Sequence, residues 1–390
     1  MLDSKYLIVG GGLTADSACK GIRDIDAGGS ITVVGDEAYP PYLRPPLSKA
    51  LWKGKDEKTI WRGTEKFHAD LRLGRRIVAV DIANRTARDD HGGEYRYEKL
   101  LFATGGRPRT FPFGEDVVYF RTLEDYRKLR AAADQHARFG VIGGGFIGSE
   151  IAAALAINGC AVTMVFPEPA IGARIFPKDL SSALNDYYRA HGVEVLPAAT
   201  VAQIERKGSS MRVTLEGGRS FDVDVVVAGI GIVPNAELAA AAGLPVANGI
   251  VVDAYGRAGG HDDVFAAGDV ARFPVPALGA QMRFEHEDQA KSHGRCVGKN
   301  MAGALEPYDH LPFFYSDLFD AGYEAVGATD AKLEALLDWD GSVNGKGTIT
   351  YVDTQRRPRG VVLWNRFGHV DEARELIRAG KPVEHAMHAG

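Results

Sequence analysis

Residues 5–15 read Lys5-Tyr6-Leu7-Ile8-Val9-Gly10-Gly11-Gly12-Leu13-Thr14-Ala15. Five residues of strand character run into three glycines, and an amphipathic helix follows to about Arg23. Ile31–Val34 is a second apolar strand, so the segment is a βαβ unit with a GxGxxA fingerprint. Glycines Gly10, Gly11 and Gly12 permit a tight turn and let backbone approach a pyrophosphate, which rests on the helix N-terminus. Thr14 and Ala15 complete the fingerprint. The second strand ends at Asp36-Glu37, and Asp36 lies 24 residues after Gly12, near the spacing of an acid that binds a ribose hydroxyl. A single fingerprint is weak evidence in a chain with 47 glycines among 390 residues.

The unit occurs twice. Phe139–Ile142 is again a strand, Gly143-Gly144-Gly145-Phe146-Ile147-Gly148 follows, and Ser149–Ile157 reads as a helix. The strand Ala161–Phe166 then ends near Glu168, 23 residues after Gly145. The two units are 133 residues apart, counted from Gly12 to Gly145. Two dinucleotide units imply two dinucleotides, one flavin and one nicotinamide. The buried strand and turn Leu100–Gly106 (LLFATGG) precede the second unit, and Val264–Asp269 (VFAAGD) follows it. Asp269, at a strand end, can accept hydrogen bonds from a sugar-alcohol chain such as flavin ribityl. The order GxGxxA, ATGG, GxGxxG, AAGD is specific where each part alone is not.

Composition agrees with a globular α/β protein. The apolar fraction is 45% and the charged fraction 25%. A net charge of −5 argues against a general nucleic-acid binder. No apolar run approaches the length of a membrane span, and the first residues resemble neither a signal peptide nor a presequence, so a cytoplasmic protein is expected. Cys19, Cys160 and Cys296 are far apart and form no CxxC pair. No metal site and no redox disulfide is therefore expected.

In this order the motifs resemble the flavoproteins related to glutathione reductase. The resemblance covers essentially the whole chain. It implies two Rossmann-like dinucleotide-binding domains and a small α+β C-terminal domain. FAD would occupy a discontinuous domain, residues 1–114 and 247–304, and NAD a domain of residues 115–246. Residues 305–390 would form the C-terminal domain, with strands Thr348–Val352 and Gly360–Leu363 and a helix from Asp371 to Ala379.

Pro41-Tyr42-Leu43-Arg44-Pro45-Pro46-Leu47-Ser48-Lys49 discriminates within this superfamily. Disulfide reductases often carry a cysteine pair in this region, and here there is none. The stretch resembles the branch containing ferredoxin and rubredoxin reductases and apoptosis-inducing factor. Phe284–Ala290 (FEHEDQA), Phe314–Leu318 (FYSDL) and Gly322–Gly327 (GYEAVG) resemble the apoptosis-inducing factors more particularly. Tyr315 stands where the animal protein has tryptophan, and no presequence or long acidic insertion is seen. The death-inducing role of the animal protein is therefore not carried over.

The resemblance implies hydride transfer from NADH to the flavin N5. It places Lys49 near N5 and pairs it with Glu150, so these two are the catalytic candidates. A lysine is otherwise a common surface charge, and an acid in a first helical turn commonly complements the helix dipole. Arg44 and Arg109 are candidate pyrophosphate or flavin contacts, because guanidinium offers a fork to phosphate. Glu285, His286 and Tyr315 would sit over flavin or nicotinamide, with His286 binding rather than moving a proton. Ile77 joins the cofactor-binding candidates. Gly143, Gly145, Ile147, Gly148 and Gly231 would line the NAD site. Phe146 would cover the flavin face or pack helix against sheet. Glu168 should bind adenosine ribose and favour NADH, while the nearby Arg174 could accept the 2′-phosphate of NADPH.

Three destinations for the electrons are compared. The first is a one-electron acceptor, either a small iron–sulfur protein or a quinone. The second follows the apoptosis-inducing factors: slow NADH oxidation, a lasting flavin–NAD charge-transfer complex, and change from monomer to homodimer on reduction. The third, peroxide or oxygen reduction, ranks low without a cysteine in the Pro41–Lys49 stretch.

Overall fold

The computed structural model describes residues 1–114 and 116–388. The expected domain boundary at residue 115 and the end of the C-terminal domain lie outside the described residues. The chain divides into two compact units, one of Met1–Leu43, Glu57–Arg107 and Val233–Pro312, the other of Arg44–Asp56, Pro108–Ile232 and the chain from Phe313 onward. The Pro41–Lys49 stretch is divided between them at Leu43 and Arg44.

The first unit is built on a parallel sheet. Strand Leu2–Val9 lies between Ile31–Gly35 and Glu94–Phe102, Ala69–Leu73 extends one edge, and Val264–Ala266 pairs with the end of Glu94–Phe102. Register fixes the site. Val9 is opposite both Val34 and Phe102, and Phe102 is opposite Ala266. The chain therefore leaves three strands at one edge, at Gly10, Ala103 and Ala267, which is where ligands bind in such sheets. The antiparallel hairpin of Ile77–Asp81 and Thr86–Asp89 pairs with the first half of Glu94–Phe102 and was not anticipated from the sequence. Helix Leu13–Ile25 lies against helix Glu287–Met301, where glycines admit close backbone. A Cβ at Gly298 would lie 2.2 Å from the Ala18 carbonyl oxygen. Tyr6, Ile8, Ile22, Val33, Leu101 and Phe265 form the core between helix and sheet.

The second unit repeats the pattern. Its parallel sheet has the order Val193–Leu196, Val162–Val165, Phe139–Ile142, Val225–Ala228, Val118–Tyr119. A three-stranded antiparallel meander, from Val201–Lys207 to Ser220–Val223, shares a core with it. The last part of the chain is a five-stranded antiparallel sheet in the order Phe313–Leu318, Ala321–Gly327, Pro358–Trp364, Gly347–Val352, Glu334–Trp339. Helix Val370–Ala379 follows it. The two expected C-terminal strands and the helix are present, extended by one to three residues at their ends. The expected helix start at Ser149 moves to Phe146, because Gly145 is the last extended residue. The fold is that of two Rossmann-like units with a C-terminal α+β sheet.

Candidate active site

Both fingerprints fold to the same backbone. Gly10 has φ +117° and Gly143 φ +118°, a region that L side chains avoid. A Cβ on Gly10 would lie 2.1 Å from the Ala103 carbonyl oxygen, and one on Gly143 would lie 2.4 Å from that of Gly229. Gly12 and Gly145 cap their helices at φ/ψ of −96°/−167° and −88°/−166°, neither with a side-chain cap. A Cβ on either would meet nothing within 4 Å. Among the described residues, both helix starts thus lack a side-chain cap and have open space beside the capping glycine. Such a helix start suits a diphosphate, so the residues present fit a dinucleotide at each of the two turns.

In the first unit Asp269 lies in the turn Gly268–Val270, directly after strand Val264–Ala266. Gly268, at φ +76°, brings this turn against Thr14, whose Oγ1 would be 2.1 Å from an added Cβ. Thr14 and Ala15 are buried. Arg283 donates to the Asp269 carbonyl at 3.1 Å and to Glu285 Oε1 at 2.7 Å, so Asp269 and Glu285 are joined by a residue that the sequence reading missed. His286 follows as the residue before helix Glu287–Met301, and its removal from water pulls the imidazole down to about 4. It is neutral at pH 7, as suits a hydrogen-bonding group. The acids after the second strand have protein partners: Glu37 accepts from the Tyr42 hydroxyl at 2.5 Å, and Asp36 lies 3.5 Å from Arg76. Ile77 opens its strand with a buried side chain and is the ladder partner of Asp89.

The second unit holds the ion pair. Pro45–Ser48 is a single 3₁₀ turn begun by two prolines, whose fixed φ suits that position. The turn brings Lys49 to helix Phe146–Ile157, where Lys49 Nζ is 2.7 Å from Glu150 Oε2, with side chains 9% and 3% exposed. Ser48 donates to the same oxygen at 2.5 Å, and Ser316 donates to Oε1 at 2.7 Å. Glu150 is thus held by one cation and two hydroxyls. Neither serine was singled out from the sequence, although both lie in quoted motifs. The Tyr315 ring centre is 5.3 Å from Lys49 Nζ and the ring is partly exposed. Phe146 is half-buried and meets Phe314 edge-on at 4.9 Å, so part of its surface is used in packing. Exposed Ile147 and buried Gly148 follow in the same first helical turn. Arg44 donates to the Arg121 carbonyl at 2.8 Å.

At the carboxyl edge of the second sheet, Glu168 and Arg174 form an ion pair at 2.5 Å, the arginine 83% exposed. The two residues read as opposing determinants of coenzyme choice therefore hold each other. Gly231 has φ +92°, and the Arg109 side chain lies 3.7 Å from where its Cβ would be. The three cysteines are free. Burial pushes the Cys19 thiol up to about 12 and Cys296 up to about 11, and raises Cys160.

Comparison with known proteins agrees with this fold. Residues 4–294 match the pyridine nucleotide-disulphide oxidoreductase family, and residues 297–342 match the C-terminal domain of mitochondrion-associated apoptosis-inducing factor. The ferredoxin–NAD(+) reductase component of the anthranilate 1,2-dioxygenase system of Burkholderia cepacia is 35% identical, over 96% of this chain and 94% of its own. Apoptosis-inducing factor 1 of Dictyostelium discoideum is 31% identical, over 97% of this chain and 79% of its own. Among solved structures, a ferredoxin reductase from Rhodopseudomonas palustris superposes with TM-score 0.89 at 31% identity, covering 97% of this chain and 96% of that one. Putidaredoxin reductase, solved in covalent complex with putidaredoxin, also gives 0.89, at 29% identity, covering 98% and 95%. The doubled fingerprint thus has the ancestry its backbone suggests, and the chain belongs to the pyridine nucleotide-disulphide oxidoreductase family as an FAD-dependent NAD(P)H oxidoreductase.

Proposed function

We propose that the protein passes electrons from NADH, one at a time, to a small iron–sulfur protein, without a thiol relay. The observation that carries this reading is the nearly buried Lys49–Glu150 pair in a stretch free of cysteine. FAD held at the Gly10–Gly12 turn would supply two-electron uptake from reduced nicotinamide and one-electron release. The remaining tasks fall to the chain. Residues 1–114 and 247–304 bind FAD through the Gly10–Gly12 turn, Asp269 and the Arg283–Glu285 pair. Residues 115–246 bind NADH through the Gly143–Gly145 turn and Glu168, and residues 305–390 contribute Tyr315 and Ser316. Lys49 holds a positive charge that favours negative charge developing nearby, and Glu150 fixes its position. Thiols held in the neutral form are poor nucleophiles, which favours an acceptor other than a disulfide. Iron–sulfur partners are named for the reductase relatives, and the same class of acceptor is assigned here. A quinone is the alternative acceptor. A cytoplasmic location belongs to this reading and rests on three unpaired thiols, which suit a reducing compartment.

A second reading is favoured by the match to the C-terminal domain of apoptosis-inducing factor. In it the protein oxidises NADH slowly and dimerises on reduction. Anaerobic mixing with NADH separates the two. Fast bleaching of flavin absorbance, no lasting long-wavelength band and unchanged mass are expected for the reductase. Slow bleaching with a persistent charge-transfer band and a new dimer would establish the sensor instead.

Coenzyme choice is tested at Glu168. Glu168→Ala removes the carboxylate that would bind the ribose diol and leaves Arg174 without its partner. Loss of a charged hydrogen-bond acceptor should raise the KM for NADH by about 10- to 100-fold. The KM for NADPH should fall, because the freed guanidinium can meet the 2′-phosphate. Equal shifts for both coenzymes would remove Glu168 from the adenosine site.

A further inference from the structure

The second unit contains a small cavity beside the Lys49–Glu150 pair, about 10 Å³ in volume, room for a single water. Its lining runs from interior to surface. Ser48 and Glu150 are 3% exposed and Ala153 is 2% exposed, whereas Ile157 is 49% exposed. The side chains of Lys53 and Asp317, which also line it, are 50% and 40% exposed. The cavity therefore leads from a buried carboxylate toward solvent. At the outer end Lys53 Nζ and Asp317 Oδ2 stand 3.9 Å apart, a long, solvent-exposed pair of the kind that contributes little. Glu150 accepts three hydrogen bonds from the protein, from Ser316, Ser48 and Lys49. A carboxylate has about four lone-pair sites, so one is left for water.

The one-electron chemistry proposed above leaves a proton over. NADH supplies two electrons and one hydrogen nucleus, and two acceptor molecules take only the electrons: NADH + 2 A → NAD⁺ + H⁺ + 2 A⁻. We infer that the cavity is the exit for that proton. A water held by Glu150 in the cavity takes it up, and Asp317 delivers it to solvent. That water gains and loses one proton per NADH and ends unchanged. Transfer through one water is within the reach of a side-chain acid or base. Asp317 and the small side chain of Ala153 thus serve proton release and lie outside the residues assigned here to bind either coenzyme. The inference rests on the one-electron reading.

Two variants test it. Ala153→Leu fills the cavity, and Asp317→Asn removes the outer acceptor. Protein reduced with one equivalent of NADH is mixed anaerobically with ferricyanide, an obligate one-electron acceptor. Flavin absorbance reports the electrons and a pH-indicator dye reports the proton. In the parent protein both signals should appear together. In each variant the proton should lag by about tenfold or more, while bleaching by NADH in a separate mixing is unchanged. A crystal structure of the parent should show a water bonded to Glu150 that is missing from Ala153→Leu. A proton that keeps pace with the electrons in both variants, or a dry cavity, overturns the port. If Ala153→Leu does not fold, Asp317→Asn decides the kinetic question. Reduced protein that gives no electrons to ferricyanide is a separate result, and it overturns the one-electron reading together with the port.

Discussion

Glu150→Ala is expected to cost the second unit about 3–5 kcal/mol, because it leaves the ammonium of Lys49 almost buried without its counter-ion. Two hydroxyls, those of Ser48 and Ser316, lose their acceptor in the same step. An unmade buried hydrogen bond carries its own desolvation cost, so the effect is larger than the loss of an attraction. Scanning calorimetry should show the transition of this unit moving to lower temperature. The double variant Lys49→Met/Glu150→Leu should recover most of the loss, because apolar groups of similar size often replace a buried ion pair without penalty. Flavin reduction by NADH should stay slow in the double variant. That split separates the two roles of the pair. If Glu150→Ala melts like the parent, the pair does not hold the Pro45–Lys49 turn in place. If the double variant is reduced at the parent rate, Lys49 takes no part in the chemistry.

Gly143→Ala should abolish rapid reduction by NADH while FAD stays bound. The added Cβ would lie 2.4 Å from the carbonyl oxygen of Gly229, on a residue at φ +118°. Backbone must shift, since neither neighbour is a flexible side-chain end. Gly148 comes as close from the other side, with its own Cβ position 2.0 Å from the Gly143 carbonyl. The turn that would carry the NAD diphosphate therefore has no room to adjust. A displacement of about 1 Å in a bound reactant can cost about 100-fold in rate. The measurement is stopped-flow bleaching, with the flavin-to-protein ratio as control. Gly10→Ala, with its Cβ 2.1 Å from the Ala103 carbonyl, should give the opposite pattern, loss of FAD itself. Parent-like reduction by Gly143→Ala would remove the second fingerprint from NADH binding.

The features that were legible in the sequence are those that depend on a residue type at a local spacing. Gly10 and Gly143 are needed because their φ values exclude a side chain, and this requirement shows as glycine wherever the turn occurs. Strands Phe139–Ile142 and Val264–Ala266 were legible because strands covered on both faces read as apolar runs. The hairpin Ile77–Asp81 and Thr86–Asp89 was not. Its residues are mixed in polarity, and its pairing depends on the neighbouring strand rather than on its own pattern. Lys49 and Glu150 were paired only through resemblance, because a lysine and a glutamate 101 positions apart carry no joint signal in a single chain.

The sequence by itself determined that this chain folds as two dinucleotide-binding units and that the Pro41–Lys49 stretch carries no cysteine. Both follow from residue identity: glycine where no Cβ fits, and no cysteine in the Pro41–Lys49 stretch. Only the tertiary structure decided what surrounds Glu150. Ser48 reaches it across 102 positions and Ser316 across 166. Glu168 and Arg174, which the sequence set in competition, were joined as a pair in the same way. A hydroxyl or a carboxylate has no conformational signature of its own. Its partner is chosen by the folded chain, which removes water from the group and leaves it a single arrangement of hydrogen bonds.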